Sequence, residues 1–573
     1  MIRIKDHKTR YMFDPFGYLG QKRKQLLEHS WPGTFRDHVR PILPVELLAR
    51  HFSEDMGRPT NELVSMMGAM ILQQMHDLTD EETVNQFAFN IQWHYALDIT
   101  GNSDKDAYVC PKSIWNIRHT MSEHDLYQPV FEQVTDHLAK VFDADCSLQR
   151  LDSVHIFSNM RHLGRIGIFV RTIQKFLTNL KRHHRDLFDE LGQEFTDRYL
   201  RKEEESTFSM VKPSESSRTL ENLGNDLFSL IERFRSSDDV STMSSYQLMV
   251  RVLKEQCLVT EDPATNTRKV SIKANKEVAS DSLQNPSDPD ATYDGHKGKG
   301  YQVQVAETYS RDEEQETVSL ITYIEVEPAH ESDANALVPY LEATGEREVA
   351  PEELLADSLY GSDHNCEKSK DLGVELVSPC MGTSSNSPLS LSDFTFSNDG
   401  KPVACPQGHA PLKTKKKKNR FSAVFVSETC VTCPFIDECP VKAGRRGHYL
   451  RYDEKALRLA HRRAIEKTPE FIEKYRFRAG VEATMSQLDR RTGVKHLRVR
   501  GLKAVRLCAF LKAIGINIFR VAAFERRSKE GNSPARDFLS AFYTLFQFVK
   551  ERLTSNSVFN VRNIAETGLA FQF

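Results

Sequence analysis

At 573 residues the chain exceeds what one hydrophobic core organises, since domains run to about 100 to 200 residues, so several parts are expected. Its net charge is only -3, which excludes a protein that is basic overall and leaves any contact with a polyanion to a local asymmetry. No apolar run reaches the roughly 18 residues of a membrane span, the opening MIRIKDHKTR lacks the apolar stretch of a secretion signal, and ten cysteines in such a chain suit thiols or metal ligands better than disulfides.

Residues 1 to 38 read as a polar, irregular arm leading past Pro41-Ile-Leu-Pro44 into helices. Thr60-Asn61 is placed to cap a helix striped by Leu63, Met67, Met70 and Ile71. Thr79-x-x-Glu82 is a capping box for the next, and a third begins near Pro111 and carries Ile114, Trp115 and Arg118. Short helices with tight connections are compatible with a helix-turn-helix DNA reader, although most such triplets are packing units. At SLQRLDSVHIFS the pattern becomes that of a strand, with the isolated acid Asp152 among apolar and β-branched residues. From Ile166 to about Leu258 the spacing of Phe169, Ile173, Phe176, Leu177 and Leu180, and later of Leu223, Leu227 and Leu230, predicts a helical insertion. Residues 275 to 294 read as a loop.

Strand character resumes at GYQVQVAETYS (300–310) and TVSLITYIEVEP (317–328). Asp333 is then placed to cap a helix through Leu337, Tyr340 and Leu341, and the apolar approach LLADSLYG centres on Asp357. With the insertion removed, strand, strand, strand, helix, strand is the order of a ribonuclease H-like core. Residues 380 to 446 leave the sheet pattern. They hold Cys405-Pro-Gln-Gly-His409, a lysine run over 413–418 read as a solvated turn, and Cys430, Cys433 and Cys439. Thiolates at CxxC spacing can wrap one tetrahedral zinc ion. Cys405, His409, Cys430, Cys433 and Cys439 offer five candidates for four positions.

Between Lys442 and Arg506 basic residues outnumber acidic ones by 19 to 7, enough positive field to attract a polyanion. Within that stretch FIEKYRFRAGVEATMSQLDRRTGVKHLRVRG reads as a helix with Tyr475, Arg478, Glu482 and Asp489 close to one face. GLKAVRLCAFLKAIGINIFRVAAF (501–524) is apolar enough to be core, and 535–553 predicts a final amphipathic helix. Three acids, Asp152, Asp357 and Glu482, on separate elements with a basic surface around the last are what phosphoryl transfer with two hard, oxygen-bound Mg2+ ions requires.

On LDSVHI, GYQVQVAET, ADSLYGS, the CP-x-GH and CxxC cluster, RAGVEATMSQ and LRVRGL, the chain resembles the bacterial insertion-sequence transposases with a DDE catalytic domain, in the branch with a cysteine-rich, zinc-ribbon-like insertion. In related enzymes the last helix carries Tyr, then Arg, Glu and Lys at fixed spacing. Tyr475, Arg478 and Glu482 match, whereas position 489 is Asp. The resemblance implies a multidomain α+β protein whose ribonuclease H-like core is interrupted by helical and cysteine-rich insertions. It implies Mg2+ or Mn2+ on Asp152, Asp357 and Glu482, structural Zn2+, and a helical N-terminal domain that binds terminal inverted repeats. It also implies a homodimer or larger synaptic complex and work in the bacterial cytoplasm at the nucleoid. The expected DNA contacts are Arg118, Lys297, Lys299, Tyr475, Arg478, Arg490, Arg491, Lys495, Arg498 and Arg500. The expected divisions are 1–145 (arm and DNA-binding helices), 146–165, 296–379 and 466–528 (core), 166–295 and 380–465 (insertions) and 529–573 (tail). The competing readings are a non-catalytic DNA-binding derivative and a nuclease that cuts without joining.

Overall fold

The computed structural model describes residues 2–531 apart from 8–10, 56–57, 201–207, 209–210, 263–266, 313–316 and 383–388. The helix expected over 535–553 lies outside the described residues.

Four helices dominate the N-terminal part: α1 (Leu63–Met75), α2 (Asp80–Phe89), α3 (Pro111–Glu123) and α4 (Tyr127–Val141). The cap of α1 is Glu62 and not Thr60 or Asn61: its carboxylate accepts the backbone N–H groups of Val64 and Ser65, where negative charge also meets the positive end of the helix dipole. Nearly every side chain of α1 is buried, not only the predicted stripe, because the helix is packed on several sides. The Thr79–Glu82 capping box forms, and Pro111 occupies the first turn of α3, where its missing N–H costs nothing.

The central sheet comprises β1 (Leu148–Phe157), β2 (Gly298–Thr308), β3 (Ile321–Pro328), β4 (Glu353–Ala356) and β5 (Glu375–Val377), with a sixth short strand, Thr292–Asp294, antiparallel to the start of β2 at the end of the stretch expected to be a loop. The spatial order of its five main strands is β3-β2-β1-β4-β5: β2 is antiparallel to both β1 and β3, and β4 runs parallel to both β1 and β5. Between β1 and β2 lies an insertion of α5 (Arg165–His183), α6 (Ser216–Phe234) and α7 (Ser244–Gln256), which closes its own core around Phe169, Phe176, Leu177, Leu227 and Met249. An antiparallel hairpin, Cys257–Asp262 with Thr267–Ile272, follows α7, where the helical spacing of the preceding residues gave no warning of strands. Helix α8 (Asp333–Glu346) links β3 to β4. Ser332 holds its N-cap position, while the predicted cap, Asp333, is the first helical residue and is buried.

The cysteine-rich region is a second sheet: β6 (Lys413–Lys417), β7 (Arg420–Phe425), β8 (Lys442–Gly444) and β9 (Gly447–Asp453), in the order β6-β7-β9-β8 and antiparallel throughout. The lysine run is therefore a strand and not a turn. The reversal is confined to Lys418 and Asn419, with Lys418 in the left-handed region at φ 55°. Helices α9 (Glu454–Ile465), α10 (Pro469–Tyr475) and α11 (Gly480–Thr492) follow, and α12 (Leu502–Gly531) ends the described chain.

Helix α12 organises the main core. Its Val505, Leu511, Ile514 and Ile518 join Met70 and Met75 of α1, Val130 of α4, and Val303 and Ile324 of the sheet in one cluster. The N-terminal helices and one face of the sheet thus share a core across α12. Among the described residues α12 is the one helix long and apolar enough to cross a membrane, and its apolar stretch is 78% buried in this cluster. Lys512, fully buried on α12, donates to Asp77 at 3.0 Å and so ties the end of α1 to it.

Candidate active site

Alternation along β1 decides where Asp152 points. Leu151 packs with Leu337 and Tyr340 on one face of the sheet, whereas Val154 and Ile156 enter the α12 core on the other, the face that Asp152 shares. In the parallel β1–β4 pair Leu151 is the register partner of Ala356, so Asp152 and Asp357 occupy equivalent positions just beyond the last pair. Adjacent strands lie about 4.8 Å apart, which makes the two acids neighbours. Asp357 is oriented locally: its Oδ1 accepts the Leu359 N–H at 2.8 Å and its carbonyl accepts the Ser378 hydroxyl at 2.6 Å.

Asp152 is only 14% exposed, and burial pushes its carboxyl up to about 6, with repulsion from Asp357 and Asp333 adding to the rise and Arg478 opposing it. Its Oδ1 accepts the Ser153 N–H at 2.9 Å and its Oδ2 accepts Arg478 Nη2 at 2.7 Å. The other arm of that guanidinium reaches Glu482, 71% exposed in the first turn of α11, at 3.3 Å. One cation therefore joins the strand acid to the helix acid.

The helix that carries Glu482 is held from behind. Glu307 of β2, 0% exposed, accepts Arg150 Nε at 2.7 Å, Arg520 Nη1 at 2.8 Å and the hydroxyl of Thr484 on α11. Arg150 Nη1 also donates to the Phe477 carbonyl at 2.8 Å, and Arg520 Nε to Gln487 at 3.0 Å. Gly480 leaves room for this contact: a Cβ there would stand 1.9 Å from Arg150 Nη1 and displace the guanidinium. Local spacing in the sequence does not disclose this support. Its one available signal is Glu307 itself, a second isolated acid in an apolar strand.

The predicted single helix is broken. A 3₁₀ turn over Arg476–Ala479 separates α10 from α11, and three residues per turn in place of 3.6 rotates what precedes it by roughly 20° per residue. Tyr475 is thereby turned away from the line of a continuous helix through Glu482, yet it remains an electrostatic neighbour of Arg478, Asp357 and Asp152. It stacks on Phe471 with ring centroids 5.5 Å apart and packs beside Leu355 and Val377. Asp489 closes the turn after α11, accepting the Lys495 N–H at 3.3 Å, with Lys495 Nζ 3.9 Å away.

Of the remaining basic residues, Lys297 stands 3.3 Å from the hydroxyl of Ser153, the residue after Asp152, and 4.0 Å from Asp333. Lys299 donates to the Leu163 carbonyl, Arg490 to Ser486, Arg498 to Asp77 and Arg500 to the Asn159 carbonyl. Arg118 forks onto Asp80, joining α3 to α2, and Arg491 lies over the Phe519 ring on the reverse side of α11.

Cys405, Cys430, Cys433 and Cys439 line one cavity at the end of the second sheet, with His409 on its wall. Two tight turns bring them there: Cys433 N–H to the Cys430 carbonyl at 3.1 Å, and Gly408 N–H to the Cys405 carbonyl at 2.8 Å. Burial raises the Cys430 thiol, and the other three thiols raise it further, so the four are electrostatic neighbours. Among the described residues no group of three or more His, Cys, Asp or Glu stands within metal-ligating distance, at the acids or at the thiols. In donor chemistry, two adjacent carboxylates that repel each other suit a hard divalent cation, and four converging thiols suit a soft one.

The family described as Transposase DDE domain matches residues 404–522, which include the cysteines, Arg478 and Glu482, and the family described as Transposase domain (DUF772) matches residues 25–120, which include α1, α2 and most of α3. Asp152 and Asp357 lie outside both matches. No curated protein and no solved structure matches the chain.

The two buried acids should respond oppositely to neutralisation. Asp152 has a folded-state value above its unfolded one, so the stability associated with its protonated form is fully present below about pH 4 and is lost as pH rises through about 6. Asp152→Asn should therefore be more stable than the parent at pH 7, by up to about 2 to 3 kcal/mol, and no more stable below pH 4. Glu307→Gln, which strips the counter-charge from Arg150 and Arg520, should cost about 3 to 5 kcal/mol. Urea unfolding at the two pH values reads both.

Proposed function

Because this chain belongs to the insertion-sequence transposases of the DDE type, we propose that it binds the terminal inverted repeats of its own element, cuts a strand at their ends to expose a 3' hydroxyl, and joins that hydroxyl to target DNA. The observation that carries the reading is the side-by-side register of Asp152 and Asp357, with Arg478 linking Asp152 to Glu482. The β3-β2-β1-β4-β5 order supports a ribonuclease H-like core built from 146–165, 296–379 and 466–528, with insertions at 166–295 and 380–465, a helical DNA-binding part over 1–145 and a tail over 529–573.

Asp152, Asp357 and Glu482 would hold two Mg2+ ions, replaceable by Mn2+. Such ions, when bound, activate the attacking water or hydroxyl and neutralise the charge developing on the leaving oxygen. The protein's own residues provide the rest. Asp152 and Asp357 are held by backbone N–H groups, so their oxygens keep their directions without the metal. Arg478 keeps the strand and helix acids together despite their like charge, and it is the cation on hand for the scissile phosphate. The Glu307 contacts hold α11 and with it Glu482, which Arg478 joins to Asp152. End recognition is assigned to the N-terminal helices, synapsis to a homodimer or larger assembly, and the site of action to the bacterial cytoplasm at the nucleoid.

Replacing Asp152 or Asp357 by Asn, or Glu482 by Gln, should abolish cutting of repeat-end DNA in Mg2+ while DNA affinity stays near that of the parent, because the amide keeps the shape and removes the charge. Each single change should lower the rate as far as all three together, since ligands of one site act as a unit. A folded, DNA-bound Glu482→Gln protein that cuts at the parental rate would end the proposal.

The converging thiols support a structural Zn2+ held by four of Cys405, His409, Cys430, Cys433 and Cys439. Metal analysis should find one zinc per chain in the parent and none after Cys430→Ser with Cys433→Ser, with partial loss of the β6–β9 fold seen by hydrogen exchange. An unchanged zinc content would exclude these ligands.

A further inference from the structure

The second sheet has two chemically opposite faces. Phe421, Ala423, Phe425, Leu450 and Tyr452 point inward and make its small core. Alternation then sends Lys413, Lys415 and Lys417 of β6, Arg420 of β7 and Arg451 of β9 to the other face, with Lys442 of β8 in the same row as Lys413. The cross-strand register makes these six into an array: Lys413 stands in line with Val424, Tyr449 and Lys442, Lys415 with Ser422 and Arg451, and Lys417 with Arg420. All six are exposed, and no ion pair among the described residues engages them. The acid in line with them is Asp453, whose Oδ1 is taken by the Ala456 N–H as the cap of α9. Lys416, on the opposite face, behaves differently: it pairs with Glu454 at 2.9 Å and lies over the Phe421 ring.

Lysines on an edge strand have an ordinary purpose, since they deter edge-to-edge pairing with another chain. That purpose covers β6 but not Arg420, which sits on the inner strand β7 between Lys417 of β6 and Asp453 of β9, its backbone already paired on both sides. Cations repeat about every 6.8 Å along a strand face and lie about 4.8 Å from the next strand, an array matched by a polyanion carrying one charge per about 1.7 Å of axis. We propose that this face is a sequence-independent docking surface for the phosphate backbone of duplex DNA. It is separate from the acid site and from the helices to which end recognition is assigned. Arg451 lies over the Tyr449 ring at 5.0 Å, a contact that orients its guanidinium on this face.

The test uses the full chain without divalent metal, a short random-sequence DNA duplex and a repeat-end duplex, with affinity measured by fluorescence anisotropy over a series of salt concentrations. Neutralising Lys413, Lys415 and Lys417 to Gln together should lower the slope of log affinity against log salt by about 0.9 for each phosphate that is no longer neutralised, roughly 2 to 3 in all. Affinity for both duplexes should fall by the same factor, tenfold or more. Arg420→Gln with Arg451→Gln should act likewise, Lys416→Gln should not, and replacing the three lysines by Arg should preserve the slope, which separates charge from misfolding. The proposal is overturned if the slopes do not change, if only the repeat-end duplex is affected, or if the variants lose double-stranded RNA or anionic vesicles while keeping DNA. Because no cleavage is measured, the result stands apart from the reading of the three acids.

Discussion

The buried carboxylate of Glu307 is the contact on which the geometry of this protein turns. It lies at 0% exposure between Arg150 of β1 and Arg520 of α12, with Thr484 of α11 as a third donor. One side chain thereby fixes a central strand, the helix that carries Glu482 and the helix around which the main core is built. Two guanidinium groups around one carboxylate leave a net positive charge in a half-dry setting. Such an arrangement is weak evidence of stability in itself, and its evident return is registry: the end of β1 and the first turn of α11 are set relative to each other. The N-terminal helices share the same frame, since α1 and α4 join α12 and the sheet in one core.

In front of that frame the electrostatics run the other way. Asp152 is kept buried beside Asp357 at a cost in stability, a local inconsistency of the kind that folded chains retain where chemistry demands it. Arg478 offsets part of the cost by joining Asp152 to Glu482.

Much of this was legible in the sequence because it depended on local periodicity. The Thr79 capping box, Pro111 at a helix start, the strand around Asp152 and the apolar α12 all follow from short-range spacing. What escaped depended on long-range partners. Arg150, Glu307 and Arg520 are separated by hundreds of positions and meet only in the fold. The 3₁₀ turn before α11 arises where the Phe477 carbonyl is taken by Arg150, a bond that no helical pattern contains. The lysine strand β6 reads as a turn when run length, and not alternation, is weighed. Paired with Phe421 and its neighbours, a polar strand becomes the outer edge of a sheet. Glu62 displaced Thr60 and Asn61 as the cap of α1 for a related reason: which of three adjacent acceptors reaches the free N–H groups is settled by the path of the arm, not by residue preference.

The proposed chemistry requires Asp152 and Asp357 to share a divalent cation once Arg478 has left Asp152 for DNA. The most direct measurement is anomalous scattering from crystals of the full chain with repeat-end DNA and Mn2+. The expected result is a manganese peak in contact with both aspartates, with Arg478 moved from Asp152 to a DNA phosphate. A structure in which Arg478 still bridges Asp152 and Glu482, with manganese elsewhere or absent, would contradict that chemistry.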